Sequence, residues 1–154
     1  FTGLAYPASS STWESLTLKP GVNEAVVRAA FDEYKDQNWG YDRILQDLTL
    51  IQNWAATNKA KVICNEFGVV RIHPTPVTDP AYRSAWLRDM RNALSAKGLG
   101  WTVWDYADIF GIAVATGNTY LSSDGAVIPS DTNNPVREWN PGDLEALGMT
   151  VTAK

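Results

Sequence analysis

Two short apolar runs on either side of one capped amphipathic stretch fix what the middle of this chain can become. Lys61-Val62-Ile63-Cys64 leads into Asn65-Glu66-Phe67 without alternating, which is how a strand buried on both faces reads. Asp79-Pro80 then offers a capping side chain and a proline at the first helical position, and Lys97-Gly98 closes the stretch with a cation and a glycine just past the end. Tyr82, Trp86, Met90 and Ala93 share one face between those signals. Gly100-Trp101-Thr102-Val103-Trp104-Asp105-Tyr106 follows, rich in the aromatic and β-branched types of a second strand. Two strands joined through a helix must lie parallel with a right-handed crossover, because no tight turn connects parallel neighbours. The fold class is therefore α/β.

Two helices are expected upstream. Val22, Val26, Ala30 and Tyr34 recur at helical spacing, with Val27 and Phe31 widening the stripe. A second helix begins near Tyr41-Asp42, carries Ile44, Leu48, Ile51 and Ala55 on one face beside Leu45 and Trp54, and stops at Asn58. The first 21 residues read as loop, with Pro7, the serines from Ser9 to Ser11, and Pro20-Gly21. Beyond Tyr106 the chain is rich in Gly, Ser, Thr and Asn, with a turn at Asp124-Gly125. Asn140-Pro141 opens one last short helix through Leu147, ended by Gly148. The expected organisation is one segment with three parts: loop and helix over 1–40, a helix-strand-helix-strand core over 41–112, and a closing loop and short helix over 113–154.

Composition narrows the function classes. At 154 residues and 45% apolar content, the chain has the make-up of one ordinary globular domain rather than a disordered or fibrous one. A formal charge of -4, with no cluster of Lys and Arg, argues against nucleic acid as a partner. One cysteine forms no internal disulfide, and neither a membrane span nor a signal-like segment is present. The chain begins at Phe1, which suggests processing or a piece of something longer. Seven tryptophans and six tyrosines exceed the needs of a small core, so some are candidates for flat platforms under sugar rings, although most would simply fill volume.

Glu66 is the outstanding candidate for chemistry. It stands at the C-terminal end of the first strand, where barrel enzymes place catalytic groups, and a carboxylate in an apolar segment is costly unless something pairs with it. A structural salt bridge or loop cap explains it about as well. Trp104 ends the second strand. Parallel neighbours lie roughly 5 Å apart, which leaves room for both side chains to flank one ligand, although core packing alone explains Trp104 about as well. Alternation puts Trp104 with Thr102 and Tyr106, and Asp105 on the other side with Val103.

Around these strands the sequence resembles glycoside hydrolase family 5, the cellulase family of clan A. Lys61 through Arg71, containing Glu66-Phe67-Gly68, is similar to its seventh-strand motif. Ala81-Tyr82-Arg83-Ser84-Ala85-Trp86-Leu87 and Gly98 through Tyr106 resemble the seventh helix and eighth strand. Phe110-Gly111-Ile112 and Glu145-Ala146-Leu147-Gly148-Met149 fit the usual ending, and Phe1-Thr2-Gly3 the segment after the sixth strand. The resemblance implies the C-terminal part of a (β/α)8 barrel containing its last two strands. It implies a retaining β-glycanase acting on β-1,4-linked glucan, with Glu66 as nucleophile and Trp104 as sugar platform. Asn65, His73 and Asp105 are the further candidates for substrate contact. No metal or organic cofactor is expected, and the family implies an extracellular setting.

The chain departs from that family in lacking the Asn-Glu-Pro that carries the acid/base residue. Asn23-Glu24-Ala25 shares two letters but lies at a helix start. A complete barrel needs about 250 residues and eight strands, so two strands leave open edges. The chain is expected to dock on an N-terminal barrel fragment or to self-associate as a homo-oligomer, with no membrane partner. A catalytically incompetent fragment that self-associates or only binds carbohydrate is the rival reading, and an unrelated α/β protein in which Glu66 is structural is a third. His73 is more simply a loop histidine, Cys64 a small buried hydrophobe, and Arg71, Arg83 and Arg91 members of structural ion pairs.

Overall fold

The computed structural model describes residues 3–71, 79–106, 110–115, 119–121, 127–129 and 137–150. Its centre is the expected unit. Strand β1 (Ile63–Cys64) pairs in parallel with β2 (Gly100–Trp101), Ile63 opposite Gly100 and Cys64 opposite Trp101. Helix α3 (Pro80–Ala96) connects them. Pairing continues past the short strands, with Thr102 N–H donating to Cys64 O at 2.9 Å and Trp104 N–H to Phe67 O at 2.7 Å.

Helix ends fall where the caps put them. Asn23 accepts from the amides of Ala25 and Val26 to start α1 (Glu24–Asp36), which places Glu24 in a first turn and removes it from any strand end. Asp79 accepts from Ala81 N–H at the start of α3, with Pro80 following, and Gly98 leaves that helix at φ +66°. Asn140 does the same for α4 (Pro141–Ala146), whose exit is Gly148 at φ +68°. Each such cap satisfies amides that have no partner inside the helix and stabilises it by about 1 kcal/mol. Helix α2 (Tyr41–Asn58) starts from Gly40 and ends on Lys59, a non-glycine at φ +52°.

Several phases differ from the sequence reading. Helix α1 buries Val27 and Phe31 while Val26 stays 64% exposed, so the buried stripe lies one position further along. In α2 only Ile44 and Leu48 are buried, and the second half leaves Ile51 and Trp54 exposed. The first segment holds two single 3-10 turns, Ala8–Ser10 and Trp13–Ser15. Among the described residues between Ala113 and Trp139, where a loop is expected, there are four short strands. Strand β3 (Ala113–Ala115) pairs antiparallel with β6 (Arg137–Trp139), and β4 (Thr119–Leu121) with β5 (Val127–Pro129). Asp124-Gly125 lies outside the described residues.

The core lies on one side of the β1–β2 pair. Phe67, Leu87, Leu94, Leu99, Ile112, Leu144 and Leu147 meet Ile44 and Leu48 there, with Cys64, Trp101 and Val103 packed against them. Each large apolar side chain so buried adds about 1.5–3 kcal/mol. The opposite side is open: Ile63, expected to be buried, is 59% exposed. Among the described residues no helix is long and apolar enough to cross a membrane.

Candidate active site

Alternation along the second strand is as expected. Trp101, Val103 and Asp105 are half-buried while Thr102, Trp104 and Tyr106 are exposed, which sets the Trp104 indole on the open face, 49% exposed. The first strand breaks its alternation. Cys64 and Phe67 both pack toward the core, and the two residues between them, Asn65 and Glu66, are both exposed. One extra residue between two inward-facing side chains has the effect of a bulge, re-aiming the side chains at that point. Cys64, expected as a buried hydrophobe, is half-buried, and its Sγ–H donates to Glu66 O at 3.4 Å. Thr102 Oγ1–H donates to Asn65 O at 2.6 Å and ties the bulged residues to the neighbouring strand.

Gly68 brings the two strand ends into contact. A methyl group there would collide with the Trp104 carbonyl oxygen and touch the Phe110 ring, so no residue with a side chain fits without displacing backbone. Glu66 and Trp104 therefore leave the same end of one parallel pair, joined by Trp104 N–H to Phe67 O and by the Gly68 contact. The peptide bond after Trp104, to Asp105, is cis. Among the described residues no ion pair includes Glu66.

Arg83 holds the site from behind. It is 1% exposed, and its Nε donates to Asp143 Oδ2 at 2.9 Å, an ion pair whose partner is fully buried. Its remaining nitrogens donate to the carbonyls of Val69, Phe110 and Gly111, the last two at 2.9 and 3.2 Å. Val69 follows Glu66 and Phe110 follows Trp104, so one guanidinium clamps both exits. Ser84 Oγ–H completes the partner carboxylate at 3.2 Å. Burial holds the Arg71 guanidinium below its ordinary value, the nearby Arg83 charge lowers it further, and Asp143 and Asp105 oppose the shift.

The sequence candidates thus separate. Glu66, Asn65 and Trp104 are all exposed at the same end of the strand pair. Asp105, a candidate for substrate contact, shares the half-buried side with Val103 as its alternation implies, where its charge supports Arg71 and one of its carboxylate oxygens is buried. His73 lies outside the described residues. Arg83 was expected in an ion pair, and it is in one. Its central burial is not evident from the stripe through Tyr82 and Trp86. Arg83, Leu87, Met90 and Leu94 repeat at the same helical spacing, and a charged residue in phase with that stripe was the available signal. Among the described residues no group of three or more His, Cys, Asp or Glu is placed to hold a metal ion.

Comparison with known proteins finds a likeness of fold to endoglucanase barrels over part of the chain. No protein-family profile matches. Among curated proteins, Endoglucanase 3 of Fibrobacter succinogenes is 26% identical over 111 residues, covering 71% of this chain and 16% of that protein. Among solved structures, the endoglucanase Cel5A of Thermotoga maritima superposes with a TM-score of 0.51 at 17% identity, over 89% of this chain and 43% of that one. The cellulose synthase subunit Z of Clostridioides difficile gives 0.50 at 20% identity, over 94% and 36%. The family resemblance read from the strand ends is borne out, and the chain spans less than half the length of each of these proteins.

Proposed function

We propose that this chain is the C-terminal part of a retaining β-1,4-glucan hydrolase, with β1 and β2 as the last two strands of its barrel. Glu66 is the nucleophile and Trp104 the platform under the sugar whose bond is cleaved. The observation that carries this reading is the bulge at Asn65-Glu66, which frees a carboxylate from ion pairing among the described residues and sets it on the same open end as the indole. A Glu66 carboxylate oxygen bonds to the anomeric carbon as the glycosidic C–O bond breaks, and its electron pair leaves with the departing oxygen. That oxygen takes a proton from a second carboxylic acid, supplied from outside these 154 residues. Water then attacks the glycosyl-enzyme, gives a proton to the same second carboxylate and restores Glu66. The likeness to Cel5A, solved with cellobiose and with mannotriose, supports a β-linked oligosaccharide as ligand.

A glycoside with an activated leaving group needs no proton from an acid, so it isolates the nucleophile. Incubation with dinitrophenyl 2-deoxy-2-fluoro-β-cellobioside, followed by peptide mass mapping, should show one fluorocellobiosyl group attached to Glu66 and none on Glu66→Gln. An unlabelled wild-type chain refutes nucleophilic competence and leaves the rival, an incompetent fragment that binds carbohydrate or self-associates. The 59% exposure of Ile63 favours that rival for the isolated chain.

A further inference from the structure

Tyr6, Tyr34, Trp39 and Trp86 line a cavity of about 310 Å³ on the helix-covered side of the strand pair. Phe67 separates it from the open face: its ring packs at 6.1 Å and 51° against Trp86, and its backbone carries the contact to Trp104. The cavity is thus distinct from the Glu66 site. Its walls come from three places, the N-terminal segment (Tyr6), the end of α1 with the turn after it (Tyr34, Trp39), and α3 (Trp86).

Three of the polar hydrogens of these side chains already have partners within the protein. Tyr6 Oη–H donates to Asp89 Oδ2 at 2.8 Å, Tyr34 Oη–H to Ala5 O at 2.9 Å, and Trp39 Nε1–H to Gln37 Oε1 at 2.8 Å. These bonds fix the walls in advance, so a ligand does not have to order them. What the cavity offers is flat aromatic surface and phenolic oxygens still able to accept. The matching ligand presents C–H faces and O–H donors.

Charge excludes other occupants. Arg88 Nε lies 3.9 Å from Asp89, and Arg43, seated 5.4 Å over the Trp39 ring, pairs with Asp47 at 3.1 Å. The charges at the rim cancel, which favours neither an ammonium nor an anion. The volume sits at the low end of small-molecule sites, roughly 300–1,000 Å³, enough for one sugar ring but not for a chain.

We propose that this cavity is a second carbohydrate site, taking one pyranose ring at the end of a β-linked oligosaccharide. The choice of a glucose-configured sugar rests on the glucanase reading; the cavity's preference for a neutral polyol does not. Titration of the isotope-labelled chain with cellobiose, followed through the tryptophan indole N–H signals, tests it. The Trp39 and Trp86 signals should move together with one midpoint, should still move in Trp104→Ala, and should move about fivefold later in Tyr34→Phe, which loses one acceptor. In Trp39→Ala the Trp86 response should vanish. Trp39 and Trp86 signals that stay still up to the solubility limit of the sugar overturn the proposal, as does a response to choline chloride but not to cellobiose. A response at Trp39 and Trp86 with none at Trp104 keeps the cavity and removes sugar binding at the Glu66 site; the reverse pattern does the opposite.

Discussion

The Arg83–Asp143 pair yields an asymmetry that can be measured. Replacing Arg83 with Met removes the guanidinium paired with the fully buried Asp143 carboxylate, and takes a donor from each of the carbonyls of Val69, Phe110 and Gly111. Leaving one buried charge without its partner costs about 3–5 kcal/mol. The reverse substitution, Asp143→Asn, leaves the guanidinium its three carbonyl dipoles and keeps an amide oxygen for Nε, so its cost should fall near 2 kcal/mol, the upper range for a hydrogen bond to a charged group. Urea unfolding followed by far-UV circular dichroism gives both values, provided the slope with denaturant is unchanged. Amide exchange should also quicken at Ile112 and Ala113 in Arg83→Met, since their bonds to Asp105 O and Tyr106 O lie in the exit that Arg83 clamps. Equal costs for the two variants, or a cost below about 1 kcal/mol for Arg83→Met, would refute the clamp.

Other outcomes follow from single contacts. Gly68→Ala pushes a methyl into the Trp104 carbonyl; overpacking of this kind costs about 1–3 kcal/mol, and unfolding at unchanged midpoint would contradict the contact. Asn23→Ala removes the acceptor for two amides of α1 and should cost about 1 kcal/mol in the same assay. Burial, with the bond to Asp89 next, raises the Tyr6 phenol well above its ordinary value of 10.0. A group raised on folding contributes stability that is fully present below pH 10.0 and lost as pH climbs toward the folded value, so the alkaline limb should flatten in Tyr6→Phe. Unchanged slopes above that pH in both proteins would count against the assignment. Open strand edges with Ile63 exposed should make the chain self-associate, and a strictly monomeric mass by light scattering across concentration argues against this.

Local signals in the sequence were reliable and phase signals less so. Asn23, Asp79-Pro80 and Asn140-Pro141 marked helix starts because a cap involves only neighbours within a turn. Choosing between Val26 and Val27 needs knowledge of what lies opposite: Trp13 meets Phe31 at 5.7 Å, and that contact comes from a segment with no periodicity of its own. The three-residue strands between Ala113 and Trp139 are too short to show alternation and are held by pairing at a distance. For the site, Glu66 and Trp104 were legible through alternation of the second strand and the Gly68 that follows the first. Asp105 follows alternation to the side of Val103, yet also reads as a candidate for substrate contact, because the sequence does not reveal that the Arg71 charge lies near it. Ile63 looked like a residue covered on both sides, since nothing in a run of apolar letters states whether a second layer exists.

The doubled exposure at Asn65 and Glu66 makes chain length more stringent than side-chain choice at that point. Deleting either residue would rotate Phe67 out of the core or turn the carboxylate inward, whereas exchanging Asn65 for another small polar residue preserves both orientations, because its tie to Thr102 runs through the main chain. Relatives diverging in this stretch should therefore tolerate substitution at the position before the acid and reject any gap.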